Sequence, residues 1–164
     1  MTSIRGLLIS HMIWKNMNHN APHKKHSAAR HRWQDAIFNK DRLPEAYTWS
    51  AETTPGGTAF QRVIRTDTGR TGRVLLYFHG GAYRDGLVPS YRNFSTGFFQ
   101  AANGCETIYL DYRCAPDYQY PTQLNEALDL WDNLTKRQGY APDQIILGGD
   151  SAGVNLALAL LLKL

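Results

Sequence analysis

Only two of the 164 residues are cysteines, Cys105 and Cys114. Two thiols are too few for a disulfide framework, and the residues around them do not show the spacing of a metal site. We therefore expect both thiols to be free. Free thiols are typical of a reducing compartment, so this reading favours the cytoplasm.

The sequence also lacks an apolar run long enough to cross a bilayer. Its longest apolar stretch begins at Val154 and is interrupted by Asn155 and Lys163. The opening MTSIRGLLISHMIW has one positively charged side chain and no small-residue cleavage site, so it does not fit a signal peptide. Its apolar positions recur at helical spacing instead. We predict an amphipathic first helix and no stable membrane insertion.

Charge is distributed unevenly along the chain, which carries a net charge of +4. Residues 1–42 hold eight Lys and Arg against two Asp, whereas the remainder holds ten basic against twelve acidic residues. A basic arm of this kind is compatible with an anionic partner and with a solvated helical segment, and we favour the second reading. Aromatic residues are not interleaved as nucleic-acid stacking requires, so we expect no nucleic-acid partner.

From residue 46 onward, short apolar runs typical of buried strands alternate with helical patterns. We predict strands at 46–50, 58–66, 73–78, 106–112 and 144–149. We predict helices at 91–103, at 122–138 and after Ser151. This order indicates an α/β fold with a largely parallel sheet and helices on both faces. We divide the chain into a helical segment, 1–45, and an α/β domain, 46–164.

One candidate for chemistry is the serine in GGDSAG, residues 148–153. The stretch fits G-x-S-x-G and lies between a predicted strand and a predicted helix, as a nucleophile elbow does. Its glycines permit a tight, strained turn, and the helix N-terminus favours negative charge near Ser151. The Ala152 amide would then face a developing oxyanion. The other reading of this stretch is an ordinary strand–helix turn that prefers small residues.

A second candidate follows an earlier predicted strand, where the chain reads HGGA at residues 79–82. Small residues leave the backbone amides of such a loop unshielded, and loops of this type complete the oxyanion hole of esterases. We predict that Gly80, Gly81 and Ala82 form the hole together with Ala152. His79 is predicted to support the loop. The alternative is a plain glycine turn with a structural histidine.

Between these two motifs, YLDYRCAPDYQYP closely resembles the DYRLAPE-x-x-[FY]-P-A segment of the hormone-sensitive-lipase-like esterases, the α/β-hydrolase fold-3 family. The resemblance extends from about Gly72 to Leu164 and implies the N-terminal portion of an α/β-hydrolase fold. It implies a carboxylic-ester hydrolase that forms an acyl-enzyme on Ser151, uses neither metal nor cofactor, and acts on small esters or lactones. Residues 1–45 would contribute to a cap over the site.

The same resemblance assigns supporting roles to Asp111, Arg113 and Asp150. The sequence departs from the family pattern at three positions. Ala82 replaces a third glycine, Cys114 stands where Leu is common, and Asp117 stands where Glu is common. None of these changes is expected to remove a reacting group, because the Ala82 amide is retained.

After Ser151 the sequence contains no Asp, Glu or His, although this fold places the catalytic acid and histidine after the serine. We therefore expect the N-terminal part of an esterase that is inactive alone. The alternative is a non-catalytic relative that binds a ligand or a partner.

Whether an N-terminal histidine could act as the base stays open, and no metal-site spacing relates His19, His23 and His26. The N-terminal histidines are His11, His19, His23, His26 and His31.

The apolar stretch after Val154 predicts exposed leucines and a face for self-association.

Overall fold

The computed structural model describes residues 43–68, 72–93, 97 and 105–164. Almost all of the predicted segment 1–45, with its amphipathic helix and its five histidines, lies outside these residues. So does most of the helix predicted at 91–103, of which a helical turn at 90–93 is described. The proposed boundary between the two segments therefore stays a prediction.

Five strands form one sheet in the spatial order β1-β2-β4-β3-β5. They are β1 (Tyr47–Thr53), β2 (Ala59–Arg65), β3 (Val74–Phe78), β4 (Glu106–Leu110) and β5 (Ile145–Gly149). Strand β3 runs parallel to β4 and β5, whereas β2 runs antiparallel to β1 and β4. The sheet is thus mixed, but β1, β3, β4 and β5 all run in one direction and only β2 opposes them, so the expectation of a largely parallel sheet is confirmed. A short turn joins β1 to β2, and only antiparallel strands can be joined in this way.

Two helices follow β4 and β5 in the chain. Helix α1 spans Thr122–Asp132 and continues into a π-helical turn at Asn133–Arg137. The segment ends at Gly139, whose φ of 78° gives the left-handed conformation that terminates helices. Helix α2 spans Ala152–Leu161. A 3-10 turn at Pro142–Gln144 leads into β5.

The core lies on both faces of the sheet, because successive strand residues point to opposite sides. Every residue of β3 is buried, as expected of an interior strand. Val74, Leu76 and Phe78 join the larger core cluster with buried residues of α1 and α2, whereas Leu75 and Tyr77 belong to a second cluster. Both described helices therefore pack on the same face. Residues near the 90–93 turn pack against the other face.

The arrangement of β3 and β5 places two loops side by side. These strands pair in parallel, with Phe78 opposite Gly149, so the loops that follow them leave the same edge at the same level. The chain passes from β3 to β4 on one side and then crosses to β5 on the other side. Such a reversal of strand order opens a crevice at the carboxyl ends of the strands, where α/β proteins bind ligands.

Candidate active site

Ser151 occupies the tight turn between β5 and α2 and is exposed. Its φ of 48° and ψ of −117° are unusual for a residue with a side chain, and such strain typically costs about 1–3 kcal/mol. Two glycines allow the turn to close. A Cβ on Gly153 would overlap the Phe78 carbonyl oxygen, and one on Gly149 would lie 2.6 Å from the carbonyl carbon of Gly153.

The loop after β3 is equally tight. Gly81, Ala82 and Tyr83 all have positive φ, at 115°, 54° and 59°. The amides of Arg84 and Asp85 donate to the Gly81 carbonyl at 2.9 and 3.0 Å, which closes the turn. Among the hydrogen bonds of the described residues, none uses the amide of Gly81 or Ala82 as a donor. Within the described part of the chain, these two N–H groups thus have no acceptor.

His79 lies beneath this loop and is fully buried. Its ring stacks on Tyr112, with ring centroids 4.0 Å apart and planes within 2° of parallel. Burial lowers the pKa of His79, so the imidazole is neutral at pH 7. Nδ1 lies 2.7 Å from the Gly80 carbonyl oxygen, which can only accept, so Nδ1 carries the proton and donates it. Within the described residues, Nε2 has no partner.

Asp150 holds the other side of the same glycine. The Gly80 amide donates to Oδ1 of Asp150 at 2.8 Å, and the Tyr91 hydroxyl lies 3.0 Å from that oxygen. A Cβ at position 80 would overlap the carboxylate of Asp150, so a larger residue there would displace that side chain. Because the Gly80 amide is engaged in this way, Gly80 does not qualify as an oxyanion donor. This corrects its predicted role and makes it part of the support.

These contacts fix the peptide group that joins Gly80 to Gly81. Its carbonyl oxygen accepts from His79, and the preceding amide is held by Asp150. In a planar trans peptide the C=O and the following N–H point in opposite directions. The Gly81 N–H therefore points away from His79, and no described residue accepts a hydrogen bond from it.

Three tyrosines lie against His79 and Asp150, and their neutral hydroxyl groups donate hydrogen bonds. Burial, followed by the charge of Asp150, raises the pKa of Tyr77 to about 12. Burial also raises the pKa values of Tyr91 and Tyr112. All three hydroxyls thus keep their protons at neutral pH, and that of Tyr112 donates to the His79 carbonyl oxygen at 2.7 Å. The sequence analysis did not select them, because tyrosine is also an ordinary core residue.

The structure does not bring Arg113 to the loop after β3. Its amide and its guanidinium both bond to Glu126 of α1, and the guanidinium lies 4.5 Å from the centroid of the Tyr118 ring. Asp111 lies nearer the sheet than Arg113 does. Burial raises the pKa of its carboxyl group, and a hydrogen bond from Gln61 opposes that shift. Arg113 therefore contacts α1, whereas Asp111 contacts β2.

The described part of the chain holds neither a metal-binding cluster nor a membrane-spanning helix. No group of three or more His, Cys, Asp or Glu side chains there is placed to hold a metal ion. No helix there combines the length and the apolar character that a membrane span needs. Cys105 and Cys114 are both free thiols.

A strained serine between a strand and a helix, next to a glycine loop at a reversal of strand order, defines an α/β-hydrolase type of site. The comparison with protein families agrees. A model described as alpha/beta hydrolase fold matches residues 75–164, more than half of the chain. The chain belongs to the α/β-hydrolase fold-3 family.

Relatives and solved structures give the same family. The chain is 40% identical over 90 residues to an acetyl-hydrolase of Streptomyces hygroscopicus, covering 55% of this chain and 29% of that protein. It is 34% identical over 117 residues to an ethyl acetate hydrolase of Pseudomonas putida, covering 68% and 36%. An esterase of the bacterial hormone-sensitive lipase family superposes with a TM-score of 0.77 at 26% identity, covering 99% of this chain and 52% of that structure. The chain thus spans about a third of these relatives and about half of the similar structure.

The lowered pKa of His79 predicts a pH dependence of stability. The unfolded chain takes up a proton at this side chain near pH 6.5, whereas the folded chain resists it, so folding stability falls as the pH drops below 6.5. Because one group titrates, the free energy of unfolding changes by at most about 1.4 kcal/mol per pH unit. Urea unfolding at several pH values measures this pH dependence. His79→Gln is the control, because its side-chain amide can donate a hydrogen bond but does not titrate. Parallel curves for both proteins would contradict the neutral, buried imidazole.

Proposed function

We propose that this chain carries the nucleophile and the oxyanion hole of a serine carboxylic-ester hydrolase. The observation that carries the proposal is that both polar backbone groups of Gly80 are hydrogen-bonded, which turns the next amide away from His79 on a loop that leaves the sheet beside the Ser151 turn. Donors fixed in this way need no reorganisation when charge develops on a reacting carbonyl. Gly81 and Ala82 supply two of these donors. The Ala152 amide, at the positive end of α2, supplies a third.

The reaction that fits these groups is acyl transfer. The Ser151 oxygen attacks the ester carbonyl carbon and gives its proton to a general base, while the carbonyl electrons move onto the oxygen bound by the three amides. Collapse of that intermediate releases the alcohol, which takes the proton from the base. A water molecule then attacks the acyl-serine by the same route. The carboxylic acid leaves, and the free serine is restored.

The general base is the group that residues 43–164 do not provide. The printed sequence holds no Asp, Glu or His after Ser151. His79 is the one histidine among residues 43–164, and it is engaged with Gly80 and Tyr112. We infer that these 164 residues alone do not turn over esters. Turnover therefore requires an acid and a histidine that are supplied to Ser151 from outside these residues.

The substrate class that we propose is a small carboxylic ester or lactone. Relatives named acetyl-hydrolase and ethyl acetate hydrolase support a short acyl group. The proposed chemistry uses amide donors, a serine and a general base, so it requires neither a metal nor a cofactor. Two free cysteines favour the reducing cytoplasm as the location.

A partner-binding role is a second candidate, because α2 leaves apolar side chains uncovered in the described structure. Leu158 is 55% exposed and Leu161 is 59% exposed, and Ile146 on the neighbouring strand is 47% exposed. Strand β5 also forms one edge of the described sheet. An apolar face beside a strand edge favours association, and we propose a second copy as its partner.

Sedimentation velocity at rising protein concentration tests this association. The wild-type chain is expected to show a growing dimer fraction, because pairing removes these leucines from water. Leu161→Lys should reduce that fraction. The matched control is Tyr120→Lys, which adds the same charge at a residue that is 80% exposed and lies outside α2 and β5, and it should leave the dimer fraction unchanged. A monomer at every concentration would overturn the proposed partner.

Hydrolysis of p-nitrophenyl butyrate tests the proposed reaction in two steps. The 164-residue chain is expected to show no turnover above its Ser151→Ala variant, since loss of the base from a triad lowers kcat on the order of 10⁶-fold. A chimera extends the chain with the C-terminal part of a hormone-sensitive-lipase-family esterase, which supplies an acid and a histidine. It is expected to show Ser151-dependent turnover.

Each step has its own contradicting result. Clear Ser151-dependent turnover by the unextended chain would show that the base lies within it. A chimera that is monomeric and folded by circular dichroism, yet inactive, would contradict the hydrolase function itself.

A further inference from the structure

A polar cavity of about 460 Å³ lies between the second half of α1, with its π-helical turn, and the loop that joins β1 to β2. Its volume is within the range that proteins use for small-molecule ligands. Two acidic and two basic side chains line it, so its formal charges balance: Asp129, Asp132, Lys136 and Arg137. Ser151 and the loop after β3 take no part in its lining. The cavity is therefore separate from the candidate active site.

The carboxylate of Asp129 is held in place by the β1–β2 loop. The buried Thr54 hydroxyl donates to its Oδ2, and the oxygen of that hydroxyl accepts from the Thr58 amide at 3.0 Å. A Cβ on Gly56 would lie 2.5 Å from Oδ1 of Asp129, so the glycine leaves space for the carboxylate. Within the described residues, no cationic side chain pairs with Asp129. The cavity thus contains a fixed carboxylate whose charge is not neutralised.

Asn133 lines the same cavity and is only 8% exposed. Its side-chain amide has no hydrogen-bond partner among the residues that the structure describes. Buried polar groups in proteins are nearly always hydrogen-bonded, so an amide of this kind indicates that another molecule supplies the partner. Asn133 also begins the π-helical turn, and such turns are rare and are frequently found at functional sites. Both observations point to a polar ligand.

The cationic side chain that remains available in the cavity is that of Arg137. Lys136 is neutralised by Asp132, whose Oδ2 lies 2.8 Å from its Nζ, whereas Arg137 has no ion pair within the described part of the chain. Asp129, Asn133 and Arg137 follow one another at intervals of four residues, so they form a row along one side of the helical segment. At about 1.5 Å per residue, the row extends over about 12 Å. Its order is acid, amide, base.

We propose that this cavity binds a short zwitterionic peptide, with its ammonium group at Asp129, a peptide group at Asn133 and its carboxylate at Arg137. An ammonium group donates hydrogen bonds to a carboxylate, and a guanidinium group holds a carboxylate through two parallel hydrogen bonds. The Asn133 amide can both donate and accept, as a peptide group requires. Three extended residues span about 10 Å, close to the length of the row. This binding goes beyond the proposed ester hydrolysis and does not depend on it.

Titration of the 164-residue chain with triglycine, followed by NMR, tests the proposed site. The peptide is expected to saturate one site in the millimolar range or tighter, as a ligand of this size does, and to shift the side-chain amide signals of Asn133. Two matched probes each lack one charge: N-acetyltriglycine has no ammonium group, and triglycinamide has no carboxylate. Each should bind at least about tenfold more weakly, because one charged group of the row then has no partner.

Two variants assign each end of the peptide to a residue. Asp129→Asn should weaken triglycine about tenfold and leave N-acetyltriglycine unchanged, because that probe has no ammonium group to lose. Arg137→Gln should weaken triglycine to a similar extent and leave triglycinamide unchanged. Arg137 is exposed, so this variant reports on the site even if Asp129→Asn does not fold. The matched controls Asp143→Asn and Arg73→Gln remove the same charges at exposed positions outside the cavity and should have no effect.

The outcomes separate this inference from the proposed function. Saturable binding that needs both charges of the peptide, and that each variant weakens for the probe it should affect, supports the site. Unsaturable binding, equal binding of all three peptides, or binding that neither variant changes overturns the site, whether or not the chimera turns over esters. An inactive, folded chimera contradicts the hydrolase function and leaves the peptide site in place.

Discussion

The peptide group between Gly80 and Gly81 is held from two sides, and the rest of the site depends on it. The His79 imidazole donates to its carbonyl oxygen, and the preceding amide donates to the Asp150 carboxylate. Asp150 is also the residue before Ser151, so one side chain connects the loop after β3 to the turn after β5. The orientation of the proposed oxyanion donors and the position of the proposed nucleophile are therefore set together.

The sheet makes this connection feasible. Parallel pairing of β3 with β5 brings the two loops to one edge, and small residues let them approach. Gly153 allows α2 to begin against the Phe78 carbonyl oxygen, and Gly80 leaves space for the Asp150 carboxylate. A buried ring stack of His79 on Tyr112 supports the loop from beneath. The positive φ of Ser151 is stable in this setting because its neighbours on both sides are fixed.

Local sequence patterns were sufficient for the elements and for the two loops. Continuous apolar runs predicted β3 and β4, helical periodicity with Gly139 predicted α1 and its end, and G-x-S-x-G predicted a serine between a strand and a helix. The turn at Pro55–Gly57 implied the antiparallel pair of β1 and β2, whereas the antiparallel pairing of β2 with β4 has no local signal in the sequence. The engaged amide of Gly80 was missed because its acceptor, Asp150, lies 70 residues away in the chain. Contacts such as those of Tyr91 and Tyr112 depend on tertiary packing, which a single sequence does not encode in any local pattern.

Amide hydrogen exchange at Gly80 and Gly81, followed residue by residue by NMR, tests the central claim most directly. The account predicts that the Gly80 amide is strongly protected, because it donates to Asp150 inside the loop. The Gly81 amide, for which no described residue is an acceptor, is predicted to exchange at close to the rate of an unprotected glycine. Equal protection of both amides, or a protected Gly81 beside a fast Gly80, would contradict the orientation on which the proposed chemistry depends.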